Sequence, residues 1–423
     1  MALRERGTAQ LKRTLVSLRH RNFRLLFWGT SLSHVGDFVQ AMAQSWLVWT
    51  MTQSPFLLGV IGFCQALPRL LLGAVGGAIV DRLERRRLLV ATQVLAMIQA
   101  FCFWALVYFD GIQFWHVTVL VLFLGTVNTL NQTARHSLIN NLVPREDLMN
   151  AIALNSSLAN FAKIVGPSLG GVLISVIGIA GCLFVNAISF VAIIATLLVM
   201  EFPAIKGRVN VEAPFWQEVS EGYRFLRAER RLCAIVLLTY GVALVGTPYT
   251  RFLPVIATDV LHAGPTTFGL LLASPGIGAV ISGLGIASLG RVRRRTHFVA
   301  MSVYAFSFAL IMFSFSRSLP LSMLFLVLVG ASNIAFRAVA NSIVQMETPP
   351  ELLGRMLSLF FMDKGLWSFG TLFIGAIAHG IGAPRAITIS GVACALAASL
   401  MLYQQRQARE APPPEDLKQR VAQ

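Results

Sequence analysis

Inside the apolar stretches of this chain stand His34, Asp37, Arg69, Arg135, Lys163, Arg251, Arg337, Asp363 and Lys364. A charge at membrane depth is so costly to desolvate that it faces a partner or a watery cavity. The chemistry such residues offer is proton exchange and the pairing of charged ligands. Asp37 is the first candidate proton site, because a carboxylate in a low-dielectric cavity takes up a proton more readily than one in water unless a cation offsets it. Lys163 and Arg135 are the candidate cations, so that protonation of Asp37 would compete with its pairing to Lys163 or to a substrate amine. Asp363 is a second candidate for proton coupling. It and Lys364 project about 100° apart on one helix, so they cannot share a partner and at least one is expected to pair with another span.

Helical spacing groups these residues with uncharged polar ones. His34, Asp37, Ala41 and Gln44 share one helix face; Asn128, Asn131 and Arg135 share a second; Ser156, Asn160, Lys163 and Pro167 a third; Asn333, Arg337 and Asn341 a fourth. Such stripes, with Arg69, Arg251 and Lys364, can wall a central cavity. Six deep basic residues against two acidic ones, Asp37 and Asp363, suit an anionic or catecholate-like ligand. Arg135 and Arg337 lie close enough to helix ends to snorkel to the interface instead, and Arg251 has the same choice at the opposite end. Phe38, Trp46, Phe63, Tyr240, Tyr249, Phe252 and Trp367 are available to stack on a bulky ligand or to pack.

The elements that hold these residues follow from composition. The 423 residues are 56% hydrophobic and 13% charged, whereas a soluble domain carries about a quarter charged residues. So few charges cannot clothe a soluble surface of this size. A helix needs about 20 mostly apolar residues to cross a bilayer, and such stretches are expected at 23–50, 55–80, 88–109, 114–136, 151–176 and 178–200, then at 233–258, 266–289, 297–316, 319–341, 352–380 and 385–404. The expected division is a cytoplasmic segment 1–22, a six-helix half 23–201, a cytoplasmic loop 202–232, a second half 233–404 and a tail 405–423, disordered from its proline-rich start at Ala411. The third, sixth, ninth and twelfth spans carry none of the deep charges named above.

The formal charge of +16 does not indicate nucleic acid, because the basic residues lie in short clusters between spans. Arg4, Arg6, Lys12, Arg13, Arg82, Arg85 to Arg87, Arg145, Arg291, Arg293 to Arg295 and Arg355 fall on one side; only Arg317 and Arg385 fall in the opposite loops. The positive-inside rule therefore puts both termini in the cytoplasm. No cleavable signal peptide is expected, since the first apolar stretch continues as a full span.

The two halves echo each other. Asn128, Ser137, Pro144, Glu146 and Leu148 recur at a constant offset as Asn333, Ser342, Pro349, Glu351 and Leu353; Gly77 and Arg85 to Arg87 recur at nearly the same offset as Gly285 and Arg293 to Arg295. Parallel six-helix halves around a central site are a layout of alternating-access carriers.

Gly73, Gly77, Asp81, Arg82, Arg85 and Arg86 resemble the GxxxDRxGRR loop signature of the major facilitator superfamily, with Glu84 where that family usually has glycine and Leu289 or Gly290 where the second copy should hold an acid. Asp81 is expected to face the positive N-terminal end of the eleventh span near Pro349 and Pro350. Gly166, Pro167, Gly170 and Gly171 resemble the GPxxGG antiporter signature of that superfamily's exporters, and residues 142–171 resemble the branch of enterobactin exporters and macrolide efflux pumps. The proline should bend its helix and the glycines admit a close neighbour, expected to be the eighth span with Gly276, Gly278, Gly283 and Gly285.

The resemblance implies an all-α membrane protein of twelve helices. It also implies a proton-coupled exporter of small amphipathic molecules, siderophores or drugs, working as a monomer in a bacterial inner membrane. A lysolipid or lipid flippase of the same fold is the alternative, and a membrane sensor or enzyme a remote one. No HExxH or Walker loop is present, so neither zinc-peptidase chemistry nor ATP hydrolysis is expected, and the chain is not read as an enzyme. Cys64, Cys102, Cys182, Cys233 and Cys394 have no metal-ligand spacing and are read as packing residues; no metal or cofactor is expected.

Overall fold

A backbone crossing hydrocarbon must satisfy its own N–H and C=O groups, so long apolar stretches become helices. The computed structural model describes residues 16–82, 84–200, 215–289 and 294–410, and these are helical apart from short turns. The first half holds α1 (Arg21–Thr52), α2 (Pro55–Arg82), α3 (Arg85–Tyr108), α4 (Phe114–Leu142) and α5 (Arg145–Val199). After the amphipathic α6 (Phe215–Ala228) come α7 (Arg230–Val260), α8 (Pro265–Leu289), α9 (Arg295–Phe315), α10 (Leu319–Glu347), α11 (Leu353–Phe361), α12 (Asp363–Ile381) and α13 (Ala383–Glu410). Among the described residues nine helices are long and apolar enough to cross a membrane.

Three local breaks shape the bundle. Helix α5 has 55 residues, about 80 Å at 1.5 Å per residue and far beyond one hydrocarbon core. It kinks at Gly178, whose φ of 72° and ψ of 178° are nearly closed to residues with a side chain. Helix α7 passes from α-helix into π-helical turns at Val242–Gly246 and Ile256–Val260 around a 3-10 stretch at Thr247–Phe252, where Pro248 and Pro254 each remove a backbone donor. Between α11 and α12 the Met362 N–H bonds back to the Leu359 carbonyl at 3.1 Å, and that carbonyl also accepts the Tyr240 hydroxyl at 2.5 Å. The break is thereby tied to α7.

Within the halves α1 packs along α5, α4 against α2 and α3, and α10 against α8 and α9. The halves meet along two seams, α2 with α12 and α5 with α8. Glycines let backbone meet backbone there: Gly59 lies against the Thr371 carbonyl, Gly269 against the Pro167 carbonyl, and a Cβ on Gly171 would stand 2.8 Å from the Pro265 carbonyl. Hydrogen bonds from Trp49 Nε1 to Thr258 Oγ1 (2.8 Å), Thr266 Oγ1 to the Gly171 carbonyl (3.3 Å) and Thr371 Oγ1 to the Gly59 carbonyl (3.2 Å) cross the same end. Toward the other end, where α1 and α7 begin and α13 finishes, nothing lies within 4 Å of a Cβ built on Gly283, Gly285 or Gly354. Among the described residues the close backbone contacts between the halves lie toward the first of these ends.

The seam corrects one expectation. Gly166 and Gly170 do not receive α8; they receive α1, at Phe38 and at Met42 Sδ, while only Gly171 faces α8. On α8 it is Gly269 and Gly276 that meet α5, Gly278 lies against the Val327 carbonyl of α10, and Gly283 and Gly285 face open space. Outward, α13 presents Ile389, Val392, Leu396, Leu400 and Tyr403, an apolar stripe at helical spacing that suits contact with lipid.

Candidate functional site

In the first half, α1 to α5 enclose a cavity of about 190 Å³ whose lining includes His34, Asp37, Arg69, Asn128, Asn131 and Arg135. Arg135 Nη1 lies 2.8 Å from His34 Nε2. A guanidinium only donates, so Nε2 accepts and the imidazole proton sits on Nδ1, which faces Asp37 Oδ2 at 3.7 Å. Arg135, His34 and Asp37 form one chain. This replaces the expected Asp37–Lys163 pair: the carboxylate finds its partner one turn back on its own helix. Lys163 makes no ion pair or hydrogen bond among the described residues and lies in the field of Lys364 and Arg337. Asn131 Nδ2 donates to Thr92 Oγ1 at 2.8 Å, tying α4 to α3. Gln44, expected on the cavity wall, is buried. On α5, Ser156, Asn160 and Lys163 are exposed while Pro167 is buried, so the predicted common face divides.

In the second half Arg337 Nη1 donates to Asp363 Oδ2, joining α10 to α12 with a carboxylate only 2% exposed. The other oxygen, Oδ1, has no partner among the described residues. Lys364 turns away, its ammonium 5.2 Å from the centre of the Phe361 ring, as the 100° separation requires. Asn333 is half-buried on α10. Arg251 donates to Gln65 Oε1 across the halves and lies 5.1 Å over the Trp367 ring. Snorkelling is thus not what Arg135, Arg337 and Arg251 do: each has a partner inside the protein, and that contact spares it the reach to the interface.

Helical spacing picked out the amides that share a face with a deep charge and missed Gln40, Gln99 and Asn186. Gln40 Nε2 donates to Gln99 Oε1 at 3.3 Å, Asn186 Nδ2 donates to Gln40 Oε1 at 2.7 Å, and Ser189 Oγ donates to Asn186 Oδ1 at 3.1 Å, all buried among α1, α3 and α5. The available signal was Gly36, whose missing side chain makes room for Asn186 and Ser189. Gln65, the neutral partner of Arg251, had no signal beyond depth.

Gly73, Gly77, Asp81 and Arg82 lie on the last turns of α2 and Arg85 opens α3, but their side chains fall outside the described residues, as does the expected contact of Asp81. Arg86 Nη2 donates to the Leu198 carbonyl at 2.8 Å, closing the end of α5, and Arg87 pairs with Glu84 at 2.6 Å. Cys64, Cys182 and Cys394 are buried and Cys233 half-buried, whereas Cys102 is exposed. Among the described residues no cluster of His, Cys, Asp and Glu is placed to hold a metal.

Residues 12–419 match a family described as transmembrane secretion effectors. The staphyloferrin A transporter of Staphylococcus aureus is 23% identical over 86% of this chain and 92% of its own length. Macrolide efflux protein A of Streptococcus pyogenes is 24% identical over 88% and 94%. Among solved structures, a bacterial homologue of the human lysosomal transporter Spinster, in an inward-facing unoccupied conformation, superposes with a TM-score of 0.73 at 14% identity, covering 93% of this chain and 99% of that one.

Proposed function

The chain belongs to the transmembrane secretion effector family, within the major facilitator superfamily, and from that premise we propose that it is a proton-coupled exporter of small amphipathic molecules working by alternating access. It is a multi-pass membrane transporter and not an enzyme. The observation that carries the proposal is the polar cavity, rich in ionisable groups, beside two seams of close backbone contact toward one end, and the reading takes the opposite end as open. In this reading the open end is cytoplasmic, with both termini there, and the chain spans the inner membrane of a bacterium twelve times. Gly178 divides α5 into two crossings, α11 and α12 make one broken crossing, and α1 and α7 each make one more.

Asp37 and His34 face Arg135 and Arg69 around the first-half cavity. Protonation of His34 removes the lone pair that holds Arg135, and protonation of Asp37 removes the charge that attracts both. Either event frees Arg135, which links proton entry to a change in the cavity wall. Siderophores and drugs are the cargo classes, in keeping with the relatives that carry staphyloferrin A and expel macrolides.

The test is transport in proteoliposomes under an imposed pH gradient, with a polycarboxylate siderophore and a cationic dye as rival cargoes, for wild type and Asp37→Asn. Gradient-dependent movement that Asp37→Asn abolishes is the expected result. Movement of a fluorescent lysolipid with neither cargo moving would replace export by lipid flipping.

A further inference from the structure

The seal between the halves runs inward as far as Gly365 against Leu70 and Gly276 against Ile164. Next in sequence to those contacts stand three cations: Arg69 beside Leu70 on α2, Lys364 beside Gly365 on α12, and Lys163 beside Ile164 on α5. All three are exposed at a depth where lipid surrounds the bundle, and a charge there faces water or a partner in preference to hydrocarbon; Arg69 lines the first-half cavity.

None of the three has a carboxylate within ion-pairing distance among the described residues. The nearby acids are already committed, Asp363 to Arg337 and Asp37 to His34. Lys364 lies in the field of Arg69, of the Asp363 carboxylate that offsets it in part, and of Arg337, while Lys163 lies in the field of Lys364 and Arg337. A pair of structural cations would be neutralised by the protein itself; these are left for something that enters.

We propose that Arg69, Lys163 and Lys364 form a binding site for a small polycarboxylate, which is the substrate class of this carrier. The site is divided between the halves, Arg69 and Lys163 on one and Lys364 on the other, so one carboxylate cannot answer all three and a ligand with two or more is required. The Phe361 ring beside the Lys364 ammonium, with the Trp367 ring one helical turn further along α12, offers an apolar surface for the rest of an amphipathic ligand. The inference takes from the export reading only that the cavity is where substrate sits.

The test is calorimetric titration of the purified full chain in nanodiscs, with no gradient, using citrate as probe against benzoate, triethyl citrate and pyrophosphate. Citrate is expected to bind, benzoate at least about tenfold more weakly, and the neutral ester not at all. Lys163→Gln and Lys364→Gln are each expected to weaken citrate about tenfold, and Lys364→Arg to retain it, with unchanged size-exclusion profiles and helix content. Absent citrate binding, or citrate binding indifferent to Lys163→Gln and Lys364→Gln in folded protein, overturns the site. Pyrophosphate bound as tightly as citrate overturns the assignment to carboxylates. A protein that binds citrate yet moves no cargo sinks the export reading alone, and one that expels the cationic dye without binding citrate sinks this site alone.

Discussion

At the scale of the residue, the chain Arg135–His34–Asp37 ties a titratable acceptor to a group that only donates. A second proton on the His34 ring would turn it from acceptor to donor and would release Arg135. His34→Gln keeps an acceptor that cannot titrate, so gradient-driven export should fall about tenfold or more and lose its pH dependence, measured as initial rates in proteoliposomes. The Arg337–Asp363 pair makes a different prediction because its acid is 2% exposed. Arg337→Met strands a buried charge and should cost about 3 kcal/mol, read as a lower unfolding temperature in detergent, whereas adding Asp363→Leu should restore most of the loss. Depth and helical spacing named every one of these side chains from sequence. They did not name the partners, since spacing fixes which residues share a face of one helix and says nothing of which helix stands opposite. Hence Lys163 was the expected partner of Asp37, and Gln65, 186 positions from Arg251, was missed.

At the scale of the element, the glycines sort by what their missing side chains allow. Gly178 is needed for its φ of 72°, with nothing within 4 Å of a built Cβ, so Gly178→Ala should cost about 1–3 kcal/mol through backbone strain alone. Gly264 has equal space and no positive φ, so Gly264→Ala should be close to neutral in the same unfolding assay. Gly269 is needed for contact: the backbone of Pro167 lies where its side chain would project. Gly269→Val should wedge the α5–α8 seam open, raising the reactivity of a cysteine placed at Thr266 toward a membrane-impermeant maleimide. The spans were legible because apolar runs of bilayer length have one available structure. The breaks were legible only where proline or glycine marked them, so the corner at Gly178 fell where one span was expected to give way to the next. The junction at Met362, marked by neither, was read as continuous helix.

At the scale of the molecule, two seams of close backbone contact join the halves, and among the described residues those contacts lie toward one end. Cysteines at Ser175 and Thr266, whose hydroxyls lie 3.0 Å apart across the α5–α8 seam, joined by a short thiol cross-linker, should lock this arrangement and stop transport, and cleaving the linker should restore it. Cross-linked protein that still moves cargo would count against alternating access. The internal repeat suggests two halves, but the close contact between them depends on which glycines oppose which carbonyls, a matter of register between helices far apart in the chain.

The surplus of cations at the inner edge of the seal has an electrical consequence. A ligand with three carboxylates cancels Arg69, Lys163 and Lys364, so the loaded step moves little net charge through the membrane field, while the empty step moves the uncancelled cations. Each elementary charge crossing the full potential is worth about 2.3 kcal/mol per 100 mV. On the proposed site, a potential negative inside would draw the empty cations back toward the cytoplasm, so voltage would reset the carrier between loads.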